Sequence, residues 1–488
     1  MQSINQKSNT LQCILGFFFQ SVHAPYKAID TLACLGVSIS TDAINMAVQS
    51  LSAKSENVLH KLGQSLLASY AYDNFDVDQK SQVPTAEKSN DSLKHLTSGL
   101  LFPLVHGVIS DDLKCSEELW RMSELNPHVE RQNIPQRCSI QDLINLHPDA
   151  LSASTLSRHD QFNAWMFLHD LCSYGPEFFH QFKPMLQDPE PVEKIPPVKT
   201  PIYAARVMDV NNSTVSSNIC AVIDLLQQGG ISDPVAGQTN EDIDMDSPNI
   251  SISKHVILIH RDLGTGEHLQ SAQLHCSIKS TPWNRLQHVV FIPGLFHLKM
   301  VCADALWRCF IYPPTAREDE TSLMCDIAQI RPKETGIYCT KPSFCRMHQL
   351  IGHAGICRHL DCWRIHTANK KGYDSLDTFT ASNPTFDDLT AMAEDMVHIY
   401  VATHRLQRMR RKAEKEHNLQ FENALLLNKY FLLYEELSYA MNSSDIGRVE
   451  MSIVSWIPIL KAIGKHKYAT HMTNFLINVH FVYPAGLS

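Results

Sequence analysis

Two apolar runs near the middle of the chain each end in side chains that can hold a metal ion or a phosphate. His255-Val-Ile-Leu-Ile-His-Arg-Asp262 is the first, and His288-Val-Val-Phe-Ile-Pro-Gly-Leu-Phe-His297 is the second. Val256 to Ile259 is too short for a helix and apolar on both pleat faces, the pattern of a strand buried inside a mixed or parallel sheet. Asp262 then falls at the carboxyl end of a central strand, the edge where open α/β sheets collect their active groups. Leu66-Leu-Ala-Ser-Tyr-Ala-Tyr-Asp73 has the same form, an extended run closing on an acid. Carboxylates gathered in this way suit Mg²⁺, because hard cations prefer oxygen ligands and two-metal phosphoryl transfer needs several of them together. The simpler use of each acid is to bond neighbouring backbone N–H groups in a turn.

Other constellations are weaker. Gly264-Thr-Gly266 could cradle a phosphate at a helix start, but the sequence has no G-x-G-x-x-G, Walker lysine, G-x-S-x-G or H-E-x-x-H. His297 lies among apolar neighbours, where packing is the commoner use of a lone histidine. Cys339, Cys345, His348, His353, Cys357, His359, Cys362 and His366 supply ligand types for zinc, yet their spacings match no standard finger, and no zinc site is expected there. Arg405-Leu-Gln-Arg-Met-Arg-Arg-Lys-Ala-Glu-Lys415 is strongly basic. On a helix, Arg405, Arg408, Arg410, Arg411 and Lys412 would present a face able to neutralise phosphates, or one simply solvated and paired with Glu414, Glu416 and Glu422.

The elements that must position these groups can be read in order. Residues 1–64 read as helical, with Ile44, Val48 and Leu51 at helical spacing and no clear start signal, which leaves room for further sequence upstream. The run ending at Asp73 and the stretch Leu93 to Leu104 read as strands. Residues 113–190 read as a mostly helical insertion closed by a Pro-rich connector. Ile202 to Val210 reads as a third strand, followed by a helix capped at Ser213 or Thr214 and stopped by Gly229-Gly230. Residues 229–252 form an acidic loop. The strand to Asp262, a helix near Glu267 to Ile278, the strand Gln287 to Ile292 and a helix from about Leu298 to Phe310 complete the series. Three strands, helix, strand, helix, strand, helix is the order of a ribonuclease-H-like α/β fold. The expected organisation is therefore a helical segment 1–64, a ribonuclease-H-like mixed-sheet core 65–310 with its large insertion, an irregular Cys/His-rich insertion 311–384, and a helical C-terminal region 385–488. Ribonuclease-H-like enzymes take their acids from the first strand, the fourth strand and a later helix. Asp73 and Asp262 fall at the first two places, and Asp445, with Glu436 as its substitute, is the choice for the third.

Composition limits the function. The chain has 488 residues, 44% of them apolar and 19% charged, enough for a large core in two or three domains. A formal charge of −9 argues against a surface that coats nucleic acid as a whole, so a DNA partner must meet a local basic patch. No run is long enough to span a membrane. Leu11 to Val22, interrupted by Gln12 and Gln20, reads as a core helix segment. Fourteen cysteines spread over this length suit reduced thiols in an intracellular protein, with a nuclear address if DNA is the partner. No small-molecule cofactor is indicated.

At Tyr72-Asp-Asn-Phe-Asp76, Asp262-Leu-Gly-Thr-Gly-Glu267, Gly294-Leu-Phe-His-Leu-Lys-Met300 with Ala303-Asp-Ala-Leu-Trp307, Arg331-Pro-Lys-Glu-Thr-Gly336 and Asp445-Ile-Gly-Arg-Val-Glu450, the chain resembles a family of uncharacterised proteins of mushroom-forming fungi. The resemblance runs from about residue 65 to the end and brings no activity with it. More remotely, a strand ending in aspartate, then a helix, then a strand leading into a histidine is similar to the core of Mutator-like DDE transposases. Those enzymes carry Cys-x-x-His after the second acid, where this chain has Gly294. The resemblance implies a transposon-derived, Mg²⁺-dependent nuclease or transposase, active or decayed. The alternative is a catalytically silent nucleic-acid-binding or protein-interaction protein on the same scaffold.

Overall fold

A computed structural model describes residues 10–78, 93–136, 138–149, 156–233, 252–319, 322–334, 336–337, 342–401 and 404–488. Most of the acidic loop and Cys339 lie outside the described residues. The chain divides into two compact units, one of Met1–Ile134, Lys199–Ile292 and Ala485–Leu487, the other of Pro135–Val198, Pro293–Pro484 and Ser488.

The first unit is built on a mixed sheet of five strands: β1 (Ala68–Asp78), β2 (Leu93–Pro103), β3 (Tyr203–Ala204), β4 (Ile257–Arg261) and β5 (Val289–Pro293), in the order β3-β2-β1-β4-β5. β1 and β2 are long antiparallel partners, with Ala68 opposite Pro103 and Asp78 opposite Leu93. β3 pairs antiparallel to β2, whereas β4 runs parallel to β1, with Tyr70 beside Ile259 and Ala71 beside His260. Alternation puts Tyr70 and Tyr72 of β1 on one face, and Ile257 and Ile259 on one face of β4. These four residues join one buried cluster with Leu101, Val222, Leu225, Leu226 and Leu269. Leu225 and its neighbours come from the helix Val215–Gln228, which Thr214 caps by accepting from the Ser217 N–H and which stops at Gly229-Gly230, Gly230 holding φ 73°. The helix Leu263–Cys276 connects β4 to β5. Gly266 lets it lie against β5, because a Cβ there would stand 2.5 Å from the Phe291 ring.

The third strand is much shorter than the stretch 202–210 suggested. Beyond Ala204 the Gln228 side chain takes over the backbone, accepting from the Arg206 N–H and donating to the Arg206 carbonyl, so the ladder gives way to a single bridge between Thr97 and Met208. The N-terminal helices Thr10–Ser21, Tyr26–Cys34 and Thr41–Gln64 belong to this unit. The first is not a core helix. Its Gly16 is buried against Ile39 and Ile44, but Leu11, Ile14 and Phe18 are more than half exposed. No described helix is long and apolar enough to cross a membrane.

The second unit is helical. Its core joins Phe167 and Leu171 of the helix Arg158–Tyr174 to Trp363 of Phe344–Lys371, Met396 of Phe386–Tyr400 and Leu432 of Leu419–Ser443. The expectation of an irregular insertion over 311–384 is corrected here, because 28 of those residues form the helix Phe344–Lys371. Met347, Leu350, Ile351 and Ala354 give it a buried stripe at helical spacing. The expected core boundary at 310 also moves. The helix Leu295–Phe310 packs on Phe344–Lys371 and Leu419–Ser443 through a face that includes Leu298, Cys302 and Leu306, so it groups with the second unit, as does the insertion from Pro135 to Val198.

Candidate acid site on the mixed sheet

β1 and β4 bring Asp73 and Asp262 to the same level. Counted on by two residues, the parallel register that sets Tyr70 beside Ile259 and Ala71 beside His260 puts Asp73 opposite Asp262, just past the last residue of β4. The strand expected to close at Asp73 does not end there: β1 runs on to Asp78, held by its antiparallel ladder to β2, so Asp73 lies mid-strand. Asp73 accepts from its neighbour's N–H at Asn74 (2.8 Å), and its side chain is 69% exposed. Asp262 caps the helix Leu263–Cys276 by accepting from the Thr265 N–H at 3.0 Å, and its side chain is 42% exposed. The cap explains why the Gly264-Thr-Gly266 turn makes a poor phosphate cradle: the Thr265 N–H is already taken by the Asp262 carboxylate and the Gly266 N–H by the Asp262 carbonyl.

Arg261 ties the two acids together. Its Nη2 lies 2.7 Å from Asp73 Oδ1 and its Nε 3.7 Å from Asp262 Oδ1, while the side chain is only 6% exposed. The guanidinium sits 4.8 Å from the centre of the Tyr72 ring, a cation–π contact that helps keep it at this depth. Below it, Tyr72 donates to Asn218, whose amide also meets His268. On the other face of β4, burial pushes His260 down to about 4, so it is neutral at ordinary pH. The role of Arg261 was missed in the sequence, although alternation with Ile257 and Ile259 placed it on the buried face.

Asp445 and Glu436 belong to the second unit and are engaged there. Asp445 accepts from the backbone N–H groups of Val192, Glu193 and Arg448, and it caps the helix Ile446–Ala462. Burial opposes its ionisation, but those bonds and the Arg448 guanidinium hold its carboxyl below the usual range. Arg448 also donates to Glu436 at 2.9 Å, and Glu436 meets His159 Nδ1 at 2.5 Å. The network is closed and nearly inaccessible, with Asp445 2% and Glu436 1% exposed.

The basic run is not one helix. The helix His404–Arg410 ends within it, and a short 3₁₀ turn covers Glu414–Glu416. Arg408, Arg410, Arg411 and Lys412 are exposed, and the Arg405 side chain lies outside the described residues. The pairing that involves Glu422 is not intrahelical: Arg410 Nε lies 3.6 Å from a carboxylate oxygen of Glu422 on the helix Leu419–Ser443. The Cys/His-rich segment is spread around its helix, His348 meeting Tyr434, His359 meeting Asp170 and Cys362 meeting Asn428. His297 is half-buried beside the Phe296 ring.

Residues 136–488 match a family described as a family of unknown function (DUF6589), and the chain belongs to that family. The match takes in the motifs at Asp262–Glu267, Gly294–Trp307 and Asp445–Glu450. It begins later than residue 65, so Tyr72–Asp76 falls outside it. No curated protein matches the chain, and no solved structure does.

Proposed function

We propose that this chain is a transposon-derived protein on a ribonuclease-H-like scaffold, in which Asp73 and Asp262 are held with Arg261 as an Asp–Arg–Asp ion triplet and the scaffold binds nucleic acid without cutting it. The sheet order, two antiparallel pairings followed by a parallel one, an acid within the first strand and another just past the fourth support the scaffold. The observation that carries the silent reading is Arg261, a buried cation within 4 Å of both acids. Like charges about 4 Å apart repel by roughly 4 kcal/mol per unit charge at an effective dielectric constant near 20, and a divalent ion doubles this. Mg²⁺ therefore competes with a fixed guanidinium for the same oxygens. The third acid is engaged as well, since the oxygens of Asp445 are taken up by backbone N–H groups and Arg448. Arg408, Arg411 and Lys412 offer exposed charge for a phosphate backbone.

The second reading, an active nuclease or transposase in which Asp73 and Asp262 hold Mg²⁺, rests on the placement and solvent access of these two acids. One experiment separates the two. The full chain is incubated with supercoiled and linear DNA in millimolar Mg²⁺ or Mn²⁺, beside Asp73→Asn/Asp262→Asn, and Mn²⁺ affinity is measured by calorimetry for wild type and Arg261→Gln. The silent reading expects cleavage no faster than the double variant and at least a tenfold gain in Mn²⁺ affinity in Arg261→Gln. Metal-dependent cleavage by wild type that the double variant loses would establish the nuclease instead.

A further inference from the structure

Three separate stretches of the second unit bring metal-ligating atoms to one point. His147 follows the short helix Ile140–Ile144, Glu450 stands near the start of Ile446–Ala462, and His480 lies in the π-helical turn Asn478–Val482 that continues His466–Ile477. Nε2 of His147 is 2.7 Å, and Nε2 of His480 2.9 Å, from the same oxygen of Glu450, Oε2. One ligand atom from each residue lies within 4.8 Å of the other two, and among the described residues this is the group of His, Cys, Asp and Glu so gathered. The side chains are 7% exposed for Glu450, 13% for His147 and 25% for His480, so the cluster is enclosed on the carboxylate side and reachable from the histidine side.

The donor set is specific. Two imidazole nitrogens and one carboxylate oxygen suit zinc, whereas Mg²⁺ and Ca²⁺ prefer oxygen alone. The imidazole planes are 86° apart, so the two nitrogens converge on the carboxylate without the rings stacking. Bonds of about 2.0–2.1 Å in a tetrahedron set ligand atoms roughly 3.3 Å apart. The two nitrogen–oxygen separations are about half an ångström shorter and the two nitrogens lie within 4.8 Å of each other, differences that side-chain rotations supply as the metal replaces the hydrogen-bond protons. The π turn is a further pointer, because such turns are rare and recur at functional sites. Tyr483 N–H bonds the Asn478 carbonyl across it at 2.7 Å.

We propose that His147, Glu450 and His480 form a mononuclear zinc site, with Nε2 of each histidine and one carboxylate oxygen as protein ligands and water in the fourth position. The site is independent of the acid pair and of any nuclease activity. Full-length protein is purified with zinc, dialysed into metal-free buffer and assayed for bound metal, and Zn²⁺ affinity and the visible spectrum of the Co²⁺ form are recorded. Wild type is expected to keep one zinc per chain and to give tetrahedral Co²⁺ bands. His480→Gln, at the most exposed position, is expected to lose more than a hundredfold in affinity, beyond the cost of removing an outer-shell group, with unchanged circular dichroism in metal-free buffer. Glu450→Gln keeps an acceptor for an imidazole N–H, and it is expected to lose the metal as well. Cys345→Ser/Cys357→Ser, in the Cys/His-rich helix, is expected to retain it. Zinc-free wild type, zinc retained by His480→Gln, or zinc lost by the cysteine double variant would each overturn the assignment.

Discussion

Asp262 has two tasks that substitution can separate. It caps the helix Leu263–Cys276 through the Thr265 N–H, and it supplies countercharge to buried Arg261. Asp262→Ala removes both, and loss of an N-cap alone costs about 0.5–2 kcal/mol. Asp262→Asn keeps a capping oxygen and loses only the charge, so it is expected to destabilise less than Asp262→Ala. Urea unfolding of the two variants checks the order, and equal losses would mean that the cap contributes nothing. Both acids were legible in the sequence because each closes an apolar run. The guanidinium between them was not used, because the strand was read as apolar on both faces and Arg261 was counted as part of its polar end. The His147, Glu450 and His480 group was not legible at all. His147 and Glu450 alone are 303 residues apart, and no local pattern encodes such a meeting.

The helix Phe344–Lys371 was hidden by its own chemistry. Its cysteines and histidines suggested an irregular segment, although Met347, Leu350, Ile351 and Ala354 kept a helical period throughout. The strands of the first unit were easier, since β4 and β5 are short apolar runs with clear ends; β1 was underread because its polar half, Asn74 to Asp78, is held by the ladder to β2, and β3 was overread because a side chain, Gln228, replaced its ladder. The buried face of the long helix carries a testable device. His359 bonds Asp170 at 2.7 Å and faces Glu435 at 3.9 Å, and a Cβ at Gly355 would run into that Glu435 carboxylate. Burial pushes Glu435 up to about 8, with the charge of Asp170 adding to it and His359 opposing. The folded chain thus keeps a proton that the unfolded chain releases near pH 4.3, so stability falls as pH rises from about 4.5 to about 8. His359 acts in the same direction at the upper end. It is raised on balance, burial being outweighed by Glu435 and Asp170, so its contribution is full below about 6.5 and lost as pH rises through its folded value. Glu435→Gln is expected to flatten the fall in unfolding free energy between pH 5 and 8, and to shrink the part above 6.5 as well, because it removes the carboxylate that does most to raise His359. Chemical denaturation at pH 5, 6.5 and 8 reads this directly, and an unchanged slope would contradict it.

Over the whole chain, charge decides how a polyanion could be met. A formal −9 repels nucleic acid in general, and only a local basic surface can reverse that at short range, within a Debye length of about 10 Å at 0.1 M salt. The run from Arg405 to Lys415 is the densest such surface in the sequence, but its helix ends at Arg410 and Arg410 is partly neutralised by Glu422. Arg408, Arg411 and Lys412 then carry most of the available charge, and the contribution of Arg410 is the smallest of the four. If the proposed binding is correct, changing all four to Gln weakens binding to every DNA sequence by the same factor and flattens the dependence of log affinity on log salt by roughly 0.9 for each phosphate that is no longer neutralised. A base-reading residue behaves differently, since its loss relaxes preference at one position only. Titrations of wild type and the quadruple variant against two unrelated duplexes, at 50 and 200 mM salt, distinguish these outcomes. Arg410→Gln alone is expected to change the slope least, because part of its charge is already spent on Glu422. An unchanged slope in the quadruple variant, or no binding by wild type at 50 mM salt, would leave the sheet scaffold without a nucleic-acid partner and turn the search toward proteins that dock on it.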